Sequence, residues 1–337
     1  MTQKVFFLGA GFSKAVNNNY PLMDELTKQV FERLEKDSVR KHLEEIPPQV
    51  KQNIESLLTY LSTDFPWKTD TTKYANLALY AAIIQILSDI FSNYAQQEQK
   101  RHYSNTVFGQ FSNAVLRYPN IYHFITLNYD VLLEQLLSER CYRPMPHFQH
   151  AYQDFYSYPI SWVGDRESTH TSSRVAFSHV ASSKILKLHG SANWFWAGES
   201  PSDILYYQDW MFQDPSRMTR GLKPYIIPPV QDKNAFYNHI AIRSLWQQAA
   251  QLLEKADEIY IIGFSFPQTD LAIKYLFQSA LRNRDPKIYV VNTASLFDLE
   301  PRYEQVFKLS NLNYDYTEKP DAVERFIKEI ILTEGHQ

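Results

Sequence analysis

Hydrophobic positions in this chain follow two periods. Short, unbroken apolar runs occur at Lys4–Leu8 (KVFFL), Tyr122–Thr126 (YHFIT), Ile185–Leu188 (ILKL), Glu258–Ile262 (EIYII) and Lys287–Val291 (KIYVV). Runs of this length that end in glycine or polar residues are the pattern of strands buried on both faces. Elsewhere the spacing is helical. A first helix is predicted near Phe12 or after Pro21, where Leu22, Leu26, Val30 and Leu34 share a stripe. Residues 47–117 stay helical, with Leu79, Ile83, Ile86, Leu87 and Ile90 on one face of Asn76–Glu98. Further helices are predicted at Val131–Leu137, Ile240–Glu254, Leu271–Leu281 and Ala322–Leu332. Segments 141–183 and 195–236, rich in Tyr, Ser, Trp and Pro, read as loop-rich covering segments of one domain spanning 1–337.

Apolar strands alternating with helices predict a doubly wound parallel α/β sheet of Rossmann-like type, with a large helical insertion (47–117) after the first strand. Such sheets bind ligands beyond the carboxyl ends of their strands. Gly9–Gly11, Asn128–Asp130, His189–Gly190, Gly263–Ser265 and Asn292 all fall at those ends, so five clusters converge on one rim. Only nine glycines are present, and Gly9, Gly11, Gly190 and Gly263 sit there, where a permissive backbone is in demand.

The turn Gly9-Ala10-Gly11-Phe12-Ser13 opening a helix has the form of a phosphate cradle, and a tight turn without a ligand is its alternative. Lys14 stands at the third glycine position of the dehydrogenase fingerprint, and no acidic residue caps a second strand some 20 residues on. Hydride transfer is therefore disfavoured, and dinucleotide binding is not.

Charge and cysteine usage narrow the classes further. A net charge of −3 gives no basic excess for nucleic acid. One cysteine, Cys141, excludes an internal disulfide framework and a Cys-rich zinc site. With no uninterrupted apolar stretch of about 18 residues and no signal-peptide pattern, a cytoplasmic chain without a membrane span is expected. His147 and His150 have an i, i+3 spacing but no further ligand set, and the prolines beside them favour a loop. Ser191 lacks a G-x-S-x-G elbow. Trp194–Trp196 reads as packing or as a wall of the site.

The ordered set GAGFS (9–13), TLNYD (126–130), KLHGS (187–191), GFS (263–265) and VVN (290–292) resembles the motif order of the sirtuins. The resemblance implies that NAD is bound. Gly9, Ala10, Gly11, Phe12 and Ser13 would lie along its pyrophosphate, and Asn128 and Asp130 by the nicotinamide and its ribose. His189 would be the active-site histidine, Gly263 and Ser265 would contact phosphates, and Asn292 the adenosine ribose. Departures from the pattern matter as much. The four-cysteine zinc module is missing, Leu127 replaces the glutamine before Asn128, and Pro21-Leu22-Met23-Asp24 replaces the Pro-Asp-Phe-Arg segment. KPYIIPPV (223–230) stands where the acyl-peptide segment would be. These losses, and GFSFPQTD with Asp270, resemble the zinc-free sirtuin-like branch that hydrolyses NAD in bacterial anti-phage defence.

The residue types suit that chemistry. Cleaving the nicotinamide–ribose bond creates an oxocarbenium-like centre that needs a positioned water, an oxygen ligand and a base. Asn128 can orient water through its amide oxygen, and His189 can accept a proton. Asp130 can accept the nicotinamide amide or cap the helix that follows it, and Asp270 has the same cap alternative. The expectation is a metal-free NAD glycohydrolase, restrained as a homo-oligomer and completed by a partner such as a HerA-like ATPase. A non-catalytic NAD or ADP-ribose sensor is the alternative, with an NAD-dependent protein deacylase behind it.

Overall fold

The strands are β1 (Lys4–Leu8), β2 (Tyr122–Thr126), β3 (Ser161–Trp162), β4 (Ile185–Lys187), β5 (Gly190–Trp196), β6 (Tyr206–Tyr207), β7 (Lys223–Ile226), β8 (Glu258–Ile262), β9 (Lys287–Val291) and β10 (Leu312–Tyr316). This is a computed structural model that describes residues 2–35, 40–98, 101–118, 120–142, 155–156, 161–162, 184–196, 205–207, 222–230 and 233–334. The pair His147 and His150, and most of segment 141–183, lie outside the described residues. Six strands form one parallel sheet in the order β10-β9-β8-β1-β2-β4. The chain winds outward from β1 through β2 to β4, then returns to the other side of β1 and winds outward through β8, β9 and β10. That reversal beside β1 is the topological switch point at which crossovers leave on opposite faces and open a crevice.

Alternate residues of each strand serve opposite cores. Val5, Phe7, Ile125, Ile259 and Ile261 face α9 (Ile240–Lys255) and α10 (Leu271–Ala280), meeting Leu245, Leu253 and Phe277. Phe6, Leu8, Phe124, Tyr260 and Ile262 face the other way, onto Phe12, Phe111, Leu132, Leu136 and Phe326. Those partners lie on α1 (Ala10–Val16), α6 (Val107–Arg117), α7 (Leu132–Tyr142) and α12 (Ala322–Phe326); α8 (Asn234–Tyr237) and α11 (Leu296–Glu304) are the helices between. Because β1 is covered on both faces, its side chains from Val5 to Leu8 are all buried.

The helices α2 (Met23–Leu34), α3 (Arg40–Glu45), α4 (Ile54–Ser62) and α5 (Asp70–Glu98) build a third core of their own. It reaches the rest of the fold through Tyr129, Ala192, Ile226 and Val230. The 29-residue α5 is long and apolar enough to cross a membrane by length and composition. Its Leu79, Ile83, Leu87 and Ile90 are instead buried against Leu26, Val30, Leu57 and Leu58, which accounts for its apolar stripe within the molecule.

Two features depart from the sequence pattern. Strand β10 was not anticipated, because LNYDY on the sheet edge alternates polar and apolar residues and is only partly buried. The segments expected to be loop-rich, 141–183 and 195–236, contribute β3, β6 and β7 to a second sheet, which with β5 runs in the order β3-β6-β5-β7. Its β7 contains Pro224, tolerated at an edge position and paired opposite Phe195.

Candidate functional site

The five rim clusters are bound into one another by a continuation of the sheet. One rung past the strands, Leu188 N donates to Thr126 O, Leu127 N to Leu8 O, and Gly9 N to Ile262 O. Gly263 N donates to Val291 O and Asn292 N to Tyr316 O in the same way. At the switch point the Gly9–Gly11 turn and Gly263 meet backbone to backbone. A Cβ on Gly9 would lie 2.5 Å from Gly263 O, and one on Gly263 would lie 2.3 Å from Phe12 N. Gly263 also has φ +66°, the left-handed region that only glycine enters freely. The glycines are thus required by the contact between two turns. Three amides of the expected phosphate cradle are engaged inside the protein: Gly9 N with Ile262 O, Gly11 N with Gly263 O (3.1 Å) and Phe12 N with Gly9 O (3.0 Å). Ala10 is the exposed residue of the turn.

Asn128 is locked from below. Its Nδ2 donates to Gly9 O at 3.0 Å and to Ser13 Oγ at 3.1 Å. A backbone carbonyl only accepts, so this pair fixes the amide's orientation and leaves Oδ1 with no donor among the described residues. Ser13 Oγ in turn donates to Asp130 Oδ2 at 2.8 Å, and Leu132 N at the start of α7 donates to Asp130 Oδ1 at 3.1 Å. Both Asp130 oxygens are therefore engaged within the protein, in the helix-start arrangement. Burial raises its pKa above the usual carboxylate value, against the opposing pull of Lys187 and the Ser13 hydrogen bond.

The sequence places His189 on the rim as a proton acceptor. In the fold it is only 5% exposed. The segment after β7 closes over it, Ile227 N donating to His189 O at 2.9 Å, and the tilted ring of Trp246 on α9 lies 6.5 Å away. Gly190, at φ +74°, makes the close approach possible, since a Cβ there would lie 2.2 Å from Tyr225 O. Burial pulls the His189 pKa down to about 3, helped by the charge of Lys233 and opposed by Asp270. The ring is therefore neutral at pH 7, and its Nε2 has no hydrogen-bond partner among the described residues.

Lys233, Glu55 and Tyr129, which the sequence did not single out, complete the site around Asp270. Lys233 pairs with Asp270 at 2.5 Å, and both side chains are largely buried. Asp270 is the N-cap residue of α10, but its side chain makes no cap hydrogen bond and serves this ion pair. Glu55 of α4 reaches Thr269 next door, and burial pushes its pKa up. Buried Tyr129 donates to Ile227 O at 2.8 Å. Lys233 and Glu55 are far from the other site residues in sequence, and no local motif marks these two. Asn292 ties its own turn to the switch point, donating from Nδ2 to Phe264 O at 3.3 Å and accepting from Ala294 N at 3.0 Å. Ser265 stands half-buried beside them. Phe266 follows at φ +48°, a strained angle for a non-glycine residue, held there by rings of Phe264, Phe277, Tyr303 and Phe307.

Register places Asn128 and His189 just past the ends of neighbouring strands. Thr126 pairs with Lys187 across β2 and β4, so each functional candidate lies two residues beyond the same rung.

The fold is a doubly wound parallel α/β sheet with a polar cluster at its switch point. No family model matches the sequence, and no curated protein matches it. Among solved structures, a Sir2 homologue in complex with NAD is 12% identical, with 98% of this chain and 90% of that one covered at a TM-score of 0.43. A mutant Sir2 homologue in complex with ADP-ribose is 12% identical over 99% and 92%, at 0.45. Sir2Tm bound to a propionylated peptide is 13% identical over 99% and 94%, at 0.40. Overlaps of this extent leave the functional reading to the residues of this chain.

Proposed function

We propose that this chain binds NAD at the switch-point rim and cleaves its nicotinamide–ribose bond, giving nicotinamide and ADP-ribose. The observation that carries the reading is the presence of two unmet polar atoms just past the ends of adjacent strands. Asn128 Oδ1 and His189 Nε2 follow the same rung of the sheet, the amide fixed by Gly9 and Ser13, the ring buried with its Nε2 unpartnered among the described residues. A low-dielectric enclosure strengthens each contact made with a developing positive charge. In this reading Asn128 Oδ1 orients the attacking water or a ribose hydroxyl, and neutral His189 holds the other hydroxyl. Asp270, held by Lys233, supplies negative charge on the far side. Ala10 and Gly11 would lie nearest the pyrophosphate.

A second reading is a sensor that binds NAD or ADP-ribose without turnover. It is favoured by the engaged amides of the 9–13 turn and by the low basicity of His189. Incubating purified protein with NAD and measuring free nicotinamide separates the two, because binding without release leaves only the sensor. An acylated peptide consumed only together with NAD would support a deacylase instead. In the cell we place the hydrolase as an anti-phage effector that depletes NAD, restrained as a homo-oligomer until a partner completes it. A strict monomer, highly active at every concentration, would overturn that part.

A further inference from the structure

Beneath the rim lies a charged group that the proposed chemistry does not use. Lys187, the last residue of β4, is 1% exposed and points into the core against α7. Its Nζ donates to the backbone carbonyl of Asp130 at 2.5 Å and lies 3.0 Å from Oε1 of Glu134, itself fully buried. Tyr156 donates to the same oxygen at 3.0 Å, and Asn193 Nδ2 donates to the Tyr156 hydroxyl at 3.4 Å. Glu134 Oε2 has no hydrogen-bond partner among the described residues.

Such a pair is a poor device for stability. Two ions removed from water gain back their desolvation cost only with complete hydrogen bonding, and apolar replacements of similar volume are often at least as stable. Here one carboxylate oxygen is left unmet. What the pair does supply is registry. The segment from Leu127 to Val131 carries Asn128 and joins β2 to α7, and its carbonyl at Asp130 would be a buried acceptor without Lys187. The same lysine stands two residues before His189 on the neighbouring strand. One ammonium thus ties the backbone that bears Asn128, and the helix that follows it, to the strand that bears His189.

We propose that Lys187 is a positioning residue, which fixes the Asn128 segment relative to His189 through the Asp130 carbonyl and Glu134. The proposal rests on the NAD-cleavage reading and adds a residue to it.

The test is the double variant Lys187→Met/Glu134→Gln, which removes both charges and keeps an acceptor for Tyr156. The single Lys187→Met would strand a buried carboxylate and serves only as a destabilised control. The double variant should melt cooperatively within a few degrees of the parent. Its kcat for nicotinamide release should fall about 100-fold, the usual consequence of a displacement near 1 Å, with KM for NAD changed by less than about threefold. A double variant that folds and turns over like the parent overturns the proposal. So does one that no longer unfolds cooperatively, because the pair is then structural. A parent protein that itself releases no nicotinamide defeats the NAD-cleavage reading, and is told apart because both proteins are then inert.

Discussion

Replacing Gly263 with alanine tests the switch point most directly. The new Cβ would stand 2.3 Å from Phe12 N and 2.4 Å from Gly11 C, both backbone atoms that no side-chain rotation can clear. Adopting φ +66° with a Cβ costs about 1–2 kcal/mol. Opening the contact to an ordinary van der Waals distance requires a shift of about 1 Å between the two turns. That strains the bonds Gly9 N to Ile262 O and Gly11 N to Gly263 O. Loss of one such bond is worth about 1 kcal/mol. Reduced freedom of the unfolded chain returns about 0.4–1 kcal/mol. With one such bond lost, the expected loss is therefore about 1–2.5 kcal/mol in urea denaturation, with the m-value unchanged. Gly11→Ala meets the same wall, its Cβ 2.6 Å from Gly263 Cα, without the left-handed angle. It should cost less by about the 1–2 kcal/mol of that angle. A Gly263→Ala protein within about 0.5 kcal/mol of the parent would refute the reasoning, as would equal losses at the two sites.

Other predictions concern the pocket and the core. Asn128→Ala and His189→Ala should each cut nicotinamide release by about 100-fold or more while the protein still unfolds cooperatively, and a loss near twofold at His189 would remove it from the chemistry. His189 titrates near 6.5 when unfolded and about 3 when folded, so between those values the unfolded chain binds the extra proton. Stability should thus fall as pH drops below about 6.5, and the decline should be shallower in a His189→Gln variant measured by denaturation from pH 7 to 4.5. Phe6, fully buried and stacked on Phe124 at 5.2 Å, should cost about 3–5 kcal/mol on truncation to alanine, read from the denaturation midpoint. Nicotinamide release should be unchanged by a chelator, and activity lost in EDTA and restored by zinc or magnesium would contradict the metal-free reading.

The contrast between what could and could not be read from the sequence has a physical origin. Five strands were visible because burial on both faces demands unbroken apolar runs such as KVFFL and EIYII. Strand β10 escaped because an edge strand needs only one apolar side, and β5 and β7 escaped because their pairing follows a glycine and includes a proline. The rim positions were legible, since a strand that ends in Gly or Asn marks its own carboxyl end. Their states were not. Burial of His189 is imposed by Ile227 and Trp246, and the ionic setting by Lys233, none of them local to the KLHGS motif. The Ser13–Asp130 bond joins residues 117 apart, beyond the reach of any spacing rule.

The position of β1 at the centre of the sheet also shapes how the protein is made. It pairs on one side with β2 and on the other with β8, so its second neighbour does not exist until Glu258–Ile262 has been synthesised. Pairings so distant in sequence form slowly, because the intervening chain must surrender its freedom before any contact compensates. Until then KVFFL is a five-residue apolar segment with an open edge, the kind of stretch that recruits other chains. Chaperone dependence and inclusion-body formation should therefore respond to charges introduced beside Lys4–Leu8 more than to changes at the sheet's outer strands. Of the strands in this sheet, the one translated first thus waits long for its second neighbour.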